Sequence, residues 1–444
     1  MDSNVKKARK FRNEIFNKIE QDDPTVLWKN ASLQDIKKVI IILSAPRAGS
    51  SLLFSIIRKI PNIYSLSGES SPFYRLNNLA SDSYKSDSIP KKFLNLGALK
   101  LNNFSRDLLS DMSTHKNSNN VSNKEAYIHK LILRFSLQWP NVDFSYDDFK
   151  KICYKILKNK TFSKENFYLK LIKELRKNYK VLNPYYYDIS SDLIKKEFPK
   201  LKIPCDPPTK THLIEEPPFI LINPPEKLTK EDLNKKVLLL KTTLNNYRMD
   251  FIERIFPNSD ISIIYLTRNP CASINGLMDG WNHRGYFSHN LKKVLKNKQM
   301  NIKGYSDKFE GGKYWWNYDL PKGWSKYINK TLQEICFFQW FIANKHILNY
   351  ISKNKKKHIK IKFENIIDTP HRVDTFKKIT NFIGLKNNYN VQLNNLPLVQ
   401  ITSKPKNFKW KEKEKEILPL IKRKNILKFI KKIGYDISKL DRWL

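Results

Sequence analysis

The sequence predicts a three-layer α/β fold with a central parallel sheet and a large, mostly helical insertion, on three observations. Val39–Leu43, Val237–Lys241 and Ile261–Thr267 are apolar runs of strand length, close to continuous, as strands covered on both faces are. The first passes through a small-residue turn directly into a helical pattern. Between the first and second runs lies a long segment, 75–235, of different character.

Residues 1–36 form a charged lead-in, helical around Phe11, Ile15, Phe16 and Ile19. The stretch KKVIIILSAPRAGSSLLFSIIRKI, 37–60, then reads strand, loop, helix, with Leu52, Leu53, Ile56, Ile57 and Ile60 spaced as a helical core stripe. The loop sits at a helix N-terminus, whose unpaired N–H groups and positive dipole end attract phosphate or sulfate. Gly49 lets the backbone approach an anion, Ser50 and Ser51 add hydroxyl donors, and Arg47 adds a planar cationic fork. The Walker pattern is not met, because Ser50 stands where its lysine should follow Gly49. Taken alone, the loop fits either an anion site or a plain turn.

Pro61 stops that helix, and Ile63–Leu66 reads as a second strand followed by SGESSPF, which places Glu69 just beyond a strand end. Segment 75–235 alternates polar stretches with amphipathic patterns around 125–137 and 165–178, and closes with the Pro-rich IPCDPPTKTHLIEEPPFILINPP. It reads as an inserted helical cap with an irregular return path, either a carrier of substrate selectivity or a structural elaboration.

The sheet resumes at Val237–Lys241 and Ile261–Thr267, with a helix over 249–256 between them. Lys241 and Arg268 then join Arg47 as cations at the ends of three parallel strands, where doubly wound sheets bind ligands. Pro270 opens another helix. GYFSHN and GGKYWWNYDLPKGW read as ordered loop and pocket wall, and a long helix follows over 329–352. His358–Phe363 is a further strand, a helix lined by Phe376, Ile379 and Phe382 ends at Gly384, and the Lys/Glu run 409–416 is a solvated helix start.

Composition bounds the class. Across 444 residues, 82 Lys+Arg against 42 Asp+Glu give +40, which favours anionic partners. The charge is spread along the chain and no zinc-finger, RNP-like or basic-zipper pattern accompanies it, so nucleic acid is not favoured. Cys153, Cys205, Cys271 and Cys336 show no CxxC spacing, which argues against a zinc site or disulfide framework. Without an apolar region behind the basic N-terminus or a run of ~20 apolar residues, the expectation is a soluble, cytoplasmic protein.

Three segments together resemble the PAPS-dependent sulfotransferases, particularly their bacterial-type and carbohydrate-type branches; PAPS is 3′-phosphoadenosine 5′-phosphosulfate. APRAGSSLL is similar to the family's 5′-phosphosulfate loop, YLTRNPCASINGLMDGW to its 3′-phosphate strand and helix, and IKFENIIDTPHRVDTFKKITNFIGL to a third family region. The resemblance covers 37–70 and 237–435 and implies a P-loop-like domain over 37–444, with 75–235 inserted. It implies that Arg47, Ala48, Gly49, Ser50 and Ser51 hold the 5′-phosphosulfate and Arg268 the 3′-phosphate. Gly276 occupies the position of a family serine eight residues after this arginine, with Ser273 and Asn275 nearby as substitutes. Lys409 and Trp410 match a C-terminal stretch that closes over the nucleotide in some members.

Sulfuryl transfer needs anionic oxygens held in line and a group to accept the acceptor's proton. Glu69 is the candidate base, in the place of the carbohydrate-type glutamate, and Lys241 the candidate contact to the transferring group; a loop carboxylate and a surface lysine are their plain readings. His115 and His129 fall in the cap, His283 and His289 are faint substrate contacts, and Glu364 is structural. The chemistry requires no metal. The reading is therefore a PAPS-dependent sulfotransferase acting on a hydroxyl or amine of a small molecule or carbohydrate. The alternatives are a phosphotransferase using ATP and Mg²⁺, or a non-catalytic basic protein binding RNA or polysaccharide.

Overall fold

Strand β1, Lys38–Ser44, is buried from Val39 onward, and its side chains divide by parity. In the computed structural model, Val39, Ile41 and Leu43 pack with Phe251, Ile252, Trp281 and Trp340, whereas Ile40 and Ile42 pack with Leu53, Ile57, Phe376 and Ile379. A strand's side chains alternate between faces, so the continuous apolar run is what two covering helical layers require. Each such burial contributes about 1.5–3 kcal/mol. The structure describes residues 3–79, 85–95, 97–115, 121–158, 163–186, 189–203, 224–296, 298–308, 310–385 and 395–443. Most of the Pro-rich return path, with Cys205, lies outside them.

The remaining main-sheet strands are β2 Ile63–Leu66, β3 Met112–Thr114, β4 Val237–Lys241, β5 Asp260–Thr267 and, beyond a short β6 His289–Asn290 and β7 Trp315–Trp316 pair, β8 His358–Lys362. Their order is β3-β2-β4-β1-β5-β8, parallel throughout except for β3. Val39 lies opposite Leu238 on one side and Ile261 on the other. Parallel strands end on one edge, so the ends of β2, β4, β1, β5 and β8 line up their site residues in strand order: Glu69, Lys241, the Arg47 loop, Arg268, Phe363.

The insertion is helical, as expected, and also returns β3 to the sheet, antiparallel to β2. Three residues are too few for a periodic signal. The lead-in becomes the helix Ser3–Asp22, and Phe11, Ile15, Phe16 and Ile19 join Tyr127, Leu131, Phe135, Phe149 and Leu171 of the insertion in a separate apolar cluster. Arg12 is buried between them, donating to the Leu133 carbonyl at 2.6 Å and to Asp107 at 3.1 Å. The long helix runs Leu332–Asn354, because Thr331 caps it: Glu334 accepts from the Thr331 N–H at 3.0 Å and returns its own N–H to Thr331 Oγ1. The 409–416 run is not simply solvated. It is a 3₁₀ turn over Lys409–Lys413 leading into a helix, and Trp410 within it is 1% exposed. Among the described residues no helix is long and apolar enough to cross a membrane.

Candidate active site at the sheet edge

The loop after β1 has two left-handed residues, Arg47 at φ 62° and Gly49 at φ 90°. At Gly49 a Cβ would lie 2.1 Å from the Phe363 ring, so the position needs glycine for space as well as for its dihedral. Gly49 offers no side chain to cap the helix Ser50–Ile57, and that helix's first N–H groups face the loop. Arg47, a non-glycine residue, bears a cost of order 1 kcal/mol for its conformation. Arg268 helps hold it there, donating from Nη1 to the Arg47 carbonyl at 3.0 Å.

Arg268 lies with its guanidinium 4.8 Å from the centre of the Phe363 ring, and its Nε is buried with no hydrogen-bond partner among the described residues. Burial lowers its pKa, Glu364 opposes that, and Arg47 adds to it. Glu364 itself accepts from the Asn269 N–H at 2.9 Å and from Tyr435 at 2.6 Å, pinning β8 to the start of the helix Pro270–Trp281.

On the other side of the loop, the Lys241 ammonium pairs with Glu69 and donates to Ser51 Oγ at 2.9 Å. Thr242 donates to the second Glu69 oxygen at 2.8 Å and shares a hydrogen bond with Ser71 at 3.1 Å. Glu69 and Lys241 are 18% and 5% exposed, so this is a largely desolvated pair at the cavity wall.

A segment over 395–408 crosses above the loop. Arg47 donates to the Gln400 carbonyl at 3.0 Å and to Thr402 Oγ1 at 2.9 Å, and Ser51 donates to Gln400 Oε1 at 2.7 Å. These oxygens take hydrogen bonds that an oxyanion in the loop would also take, so segment and anion compete. Gln400→Ala removes one competing acceptor and is expected to tighten binding of inorganic pyrophosphate about three- to fivefold by titration calorimetry. Unchanged affinity would show that Ser51 gives its hydrogen bond to Gln400 and the anion alike.

Arg47, Gly49, Ser51, Glu69, Lys241, Arg268, Phe363 and Gln400 line one cavity of about 450 Å³. Among the described residues, seven Lys and Arg line it against two acids, Glu69 and Asp279. Glu69 is matched by Lys241, and Asp279 by Lys409 at 2.8 Å and Lys413 at 2.9 Å. Burial opposes ionisation of Asp279, but the two lysines hold its carboxyl below the usual range. The cavity is therefore strongly cationic.

The structure brings Arg47, Gly49, Ser50, Ser51, Glu69, Lys241, Arg268, Gly276, Lys409 and Trp410 to that cavity. Ala48 is buried behind the loop with its N–H donated to the Ala45 carbonyl at 3.3 Å. Ser273 is fully buried and does not line the cavity, whereas Asn275 does. A Cβ at Gly276 would lie 3.3 Å from Arg47 Cβ, so the glycine makes room for the Arg47 side chain. Trp410 spends its indole N–H on the Trp443 carbonyl at 2.8 Å. His289 lines the cavity and His283 does not; burial, with Arg47, pushes the His283 pKa down to about 4. His115 lies against Arg58, and His129 against Glu125 and Tyr146. Of the described residues of 75–235, only Arg75 reaches the cavity wall.

Phe363, Gln400, Thr402, Thr242 and Arg75 were not legible as site residues. Phe363 was readable as a strand end and Thr242 as the neighbour of Lys241, but 395–403 carries no periodicity, and only its order in space reveals it.

Behind the wall, Asp319 accepts from Thr243 at 2.8 Å and from Tyr247 at 3.1 Å. Burial, with Asp87 nearby, raises its pKa to about 8, although the two hydroxyls oppose the shift. An acid whose folded pKa is raised binds a proton that the unfolded chain has released, so stability falls as pH rises from about 4 to about 8. In thermal melts from pH 5 to 8, Asp319→Asn is expected to lose less stability than the parent, by on the order of 2 kcal/mol. Parallel curves would remove Asp319 from the titration.

The sequence matches no family model and no curated protein. Among solved structures, a sulfotransferase domain from the curacin biosynthetic pathway is a distant neighbour, aligned over 90% of this chain and 99% of its own at 12% identity, with a TM-score of 0.37.

Proposed function

We propose that this chain is a PAPS-dependent sulfotransferase that moves a sulfuryl group to a hydroxyl or amine. One observation carries the reading: a carboxylate, Glu69, stands beside Lys241 and a left-handed anion loop, in a cationic cavity at the C-terminal edge of a parallel sheet. In this reading the 5′-phosphosulfate lies over Gly49, Ser50 and Ser51, with Arg47 turning from Gln400 and Thr402 to its oxygens. Arg268 takes the 3′-phosphate. The acceptor oxygen or nitrogen attacks sulfur in line, the bond from sulfur to the bridging phosphate oxygen breaks, and the acceptor's proton passes to Glu69. Arg47 and Lys241 stabilise the charge gathering on the departing phosphate.

The test is incubation of the full chain with PAPS and an acceptor panel or cell extract, followed by mass spectrometry for sulfated product. A parallel reaction with ATP and Mg²⁺ separates the nearest rival. Phosphorylated product there, with no sulfated product from PAPS, would replace the reading.

A further inference from the structure

The stretch 315–320 is buried at every position but one. Trp315, Trp316, Asn317, Asp319 and Leu320 are buried, and Tyr318 alone of the six lines the cavity. Its backbone is left-handed, at φ 62°, a conformation that an aromatic residue adopts at a cost and that clusters at functional sites. Two hydrogen bonds hold it there. The Tyr318 N–H donates to Ser288 Oγ at 3.1 Å, and the Tyr318 carbonyl accepts from His289 Nε2 at 2.7 Å. The ring rests against that of Tyr286, with centroids 4.7 Å apart.

The far end of the side chain reaches the helix Pro270–Trp281. A Cβ at Gly280 would collide with the Tyr318 hydroxyl, and four residues earlier Gly276 makes room for Arg47. Arg47 and the Tyr318 hydroxyl therefore cross one face of that helix about a turn apart. Asp279, beside Gly280, is already matched by Lys409 and Lys413. The Tyr318 hydroxyl makes no hydrogen bond among the described residues. Burial pushes its pKa up to about 12 although Arg47 opposes the shift, so it keeps its proton and stands as a donor. The next residue, Asp319, is tied to Thr243, which follows the Lys241 and Thr242 that hold Glu69. The chain at 318–319 thus spans from the Arg47 side of the cavity to the Glu69 side.

We infer that Tyr318 is a further substrate-binding residue, its hydroxyl donating a hydrogen bond to an oxyanion group that lies past Gly49–Ser51 toward Glu69, the sulfuryl group of the donor. Naming that group as the sulfuryl rests on the sulfotransferase reading; donation to an oxyanion at this place does not. A hydrogen bond to an ionised acceptor is of the stronger kind, and a hydroxyl beside a guanidinium lets one anionic group be held from two directions. The backbone hydrogen bonds and the ring contact fix the side chain beforehand, so little ordering remains to offset the gain.

The test is titration calorimetry on the full chain at pH 7 with Tyr318→Phe, which removes one oxygen and keeps the ring, its contact with Tyr286 and the backbone hydrogen bonds. Two ligand pairs differ by a terminal oxyanion group: inorganic pyrophosphate against phosphate, and PAPS against adenosine 3′,5′-bisphosphate. We expect the variant to melt as the parent does and to bind pyrophosphate and PAPS about tenfold more weakly, while phosphate and the bisphosphate bind within about twofold of the parent. Unchanged affinity for both longer ligands overturns the assignment. So does an equal loss for PAPS and the bisphosphate, which would put the hydroxyl on a phosphate and not on the group beyond it. Weaker pyrophosphate binding by the variant, with no sulfated product from PAPS in the parent, would overturn the sulfotransferase reading alone; sulfated product from both proteins, with no loss in either pair, would overturn the role of Tyr318 alone.

Discussion

Arg268→Ala is expected to weaken binding of adenosine 3′,5′-bisphosphate by about 10²-fold or more, and to do so more severely than Arg47→Ala. The ordering follows from what each guanidinium already holds. Arg47 must release the Gln400 carbonyl and Thr402 before it meets an anion, so its net gain is a difference between two sets of hydrogen bonds. Arg268 is already placed over Phe363, has a buried Nε to offer, and fixes the left-handed Arg47 carbonyl. Losing it removes a direct contact and loosens the loop at once. Arg268→Lys should recover little, because an ammonium cannot reach the Arg47 carbonyl and a phosphate in the same fork geometry. Calorimetry on the three variants decides the matter. Nucleotide affinity unchanged in both alanine variants would remove the loop and β5 from the binding site.

The strands were legible because burial on both faces leaves a short, largely apolar run between turn signals: Ile63–Leu66 and Val237–Lys241 were read with the bounds they have in the structure. The convergence of Arg47, Lys241 and Arg268 was legible for the same reason, since parallel strands ending on one edge place their next residues together. What escaped depends on distance in space without periodicity. Gln400 reaches Ser51 from 349 positions away through a segment with no helical or strand pattern. Gly276 reads as a missing serine in sequence and as clearance for Arg47 in space. The insertion was read as either a carrier of substrate selectivity or a structural elaboration; many of its apolar residues form a separate core with the N-terminal helix, and of its described residues Arg75, at its first position, alone lines the cavity.

Glu69→Gln is expected to lower sulfuryl transfer by about 10²–10⁴-fold, the usual range for loss of a general base, while nucleotide binding is kept or strengthened. The second half of that expectation separates a chemical role from a structural one. Glu69 neutralises Lys241, whose side chain is 5% exposed, and glutamine can still accept its hydrogen bond but brings no charge. The unliganded variant therefore carries an unmatched, largely buried ammonium and should be less stable by about 1–3 kcal/mol. An anionic donor supplies the missing charge, so bound nucleotide should restore more stability to the variant than to the parent. If Glu69 served only to hold Lys241, that rescued variant would turn over at the parental rate once saturated with PAPS. If Glu69 takes the acceptor's proton, rescue of folding and binding leaves the rate low, because a carboxamide has no comparable basicity. Parental turnover by a saturated, folded Glu69→Gln protein would sink the catalytic assignment and leave the Lys241 pair as a structural contact.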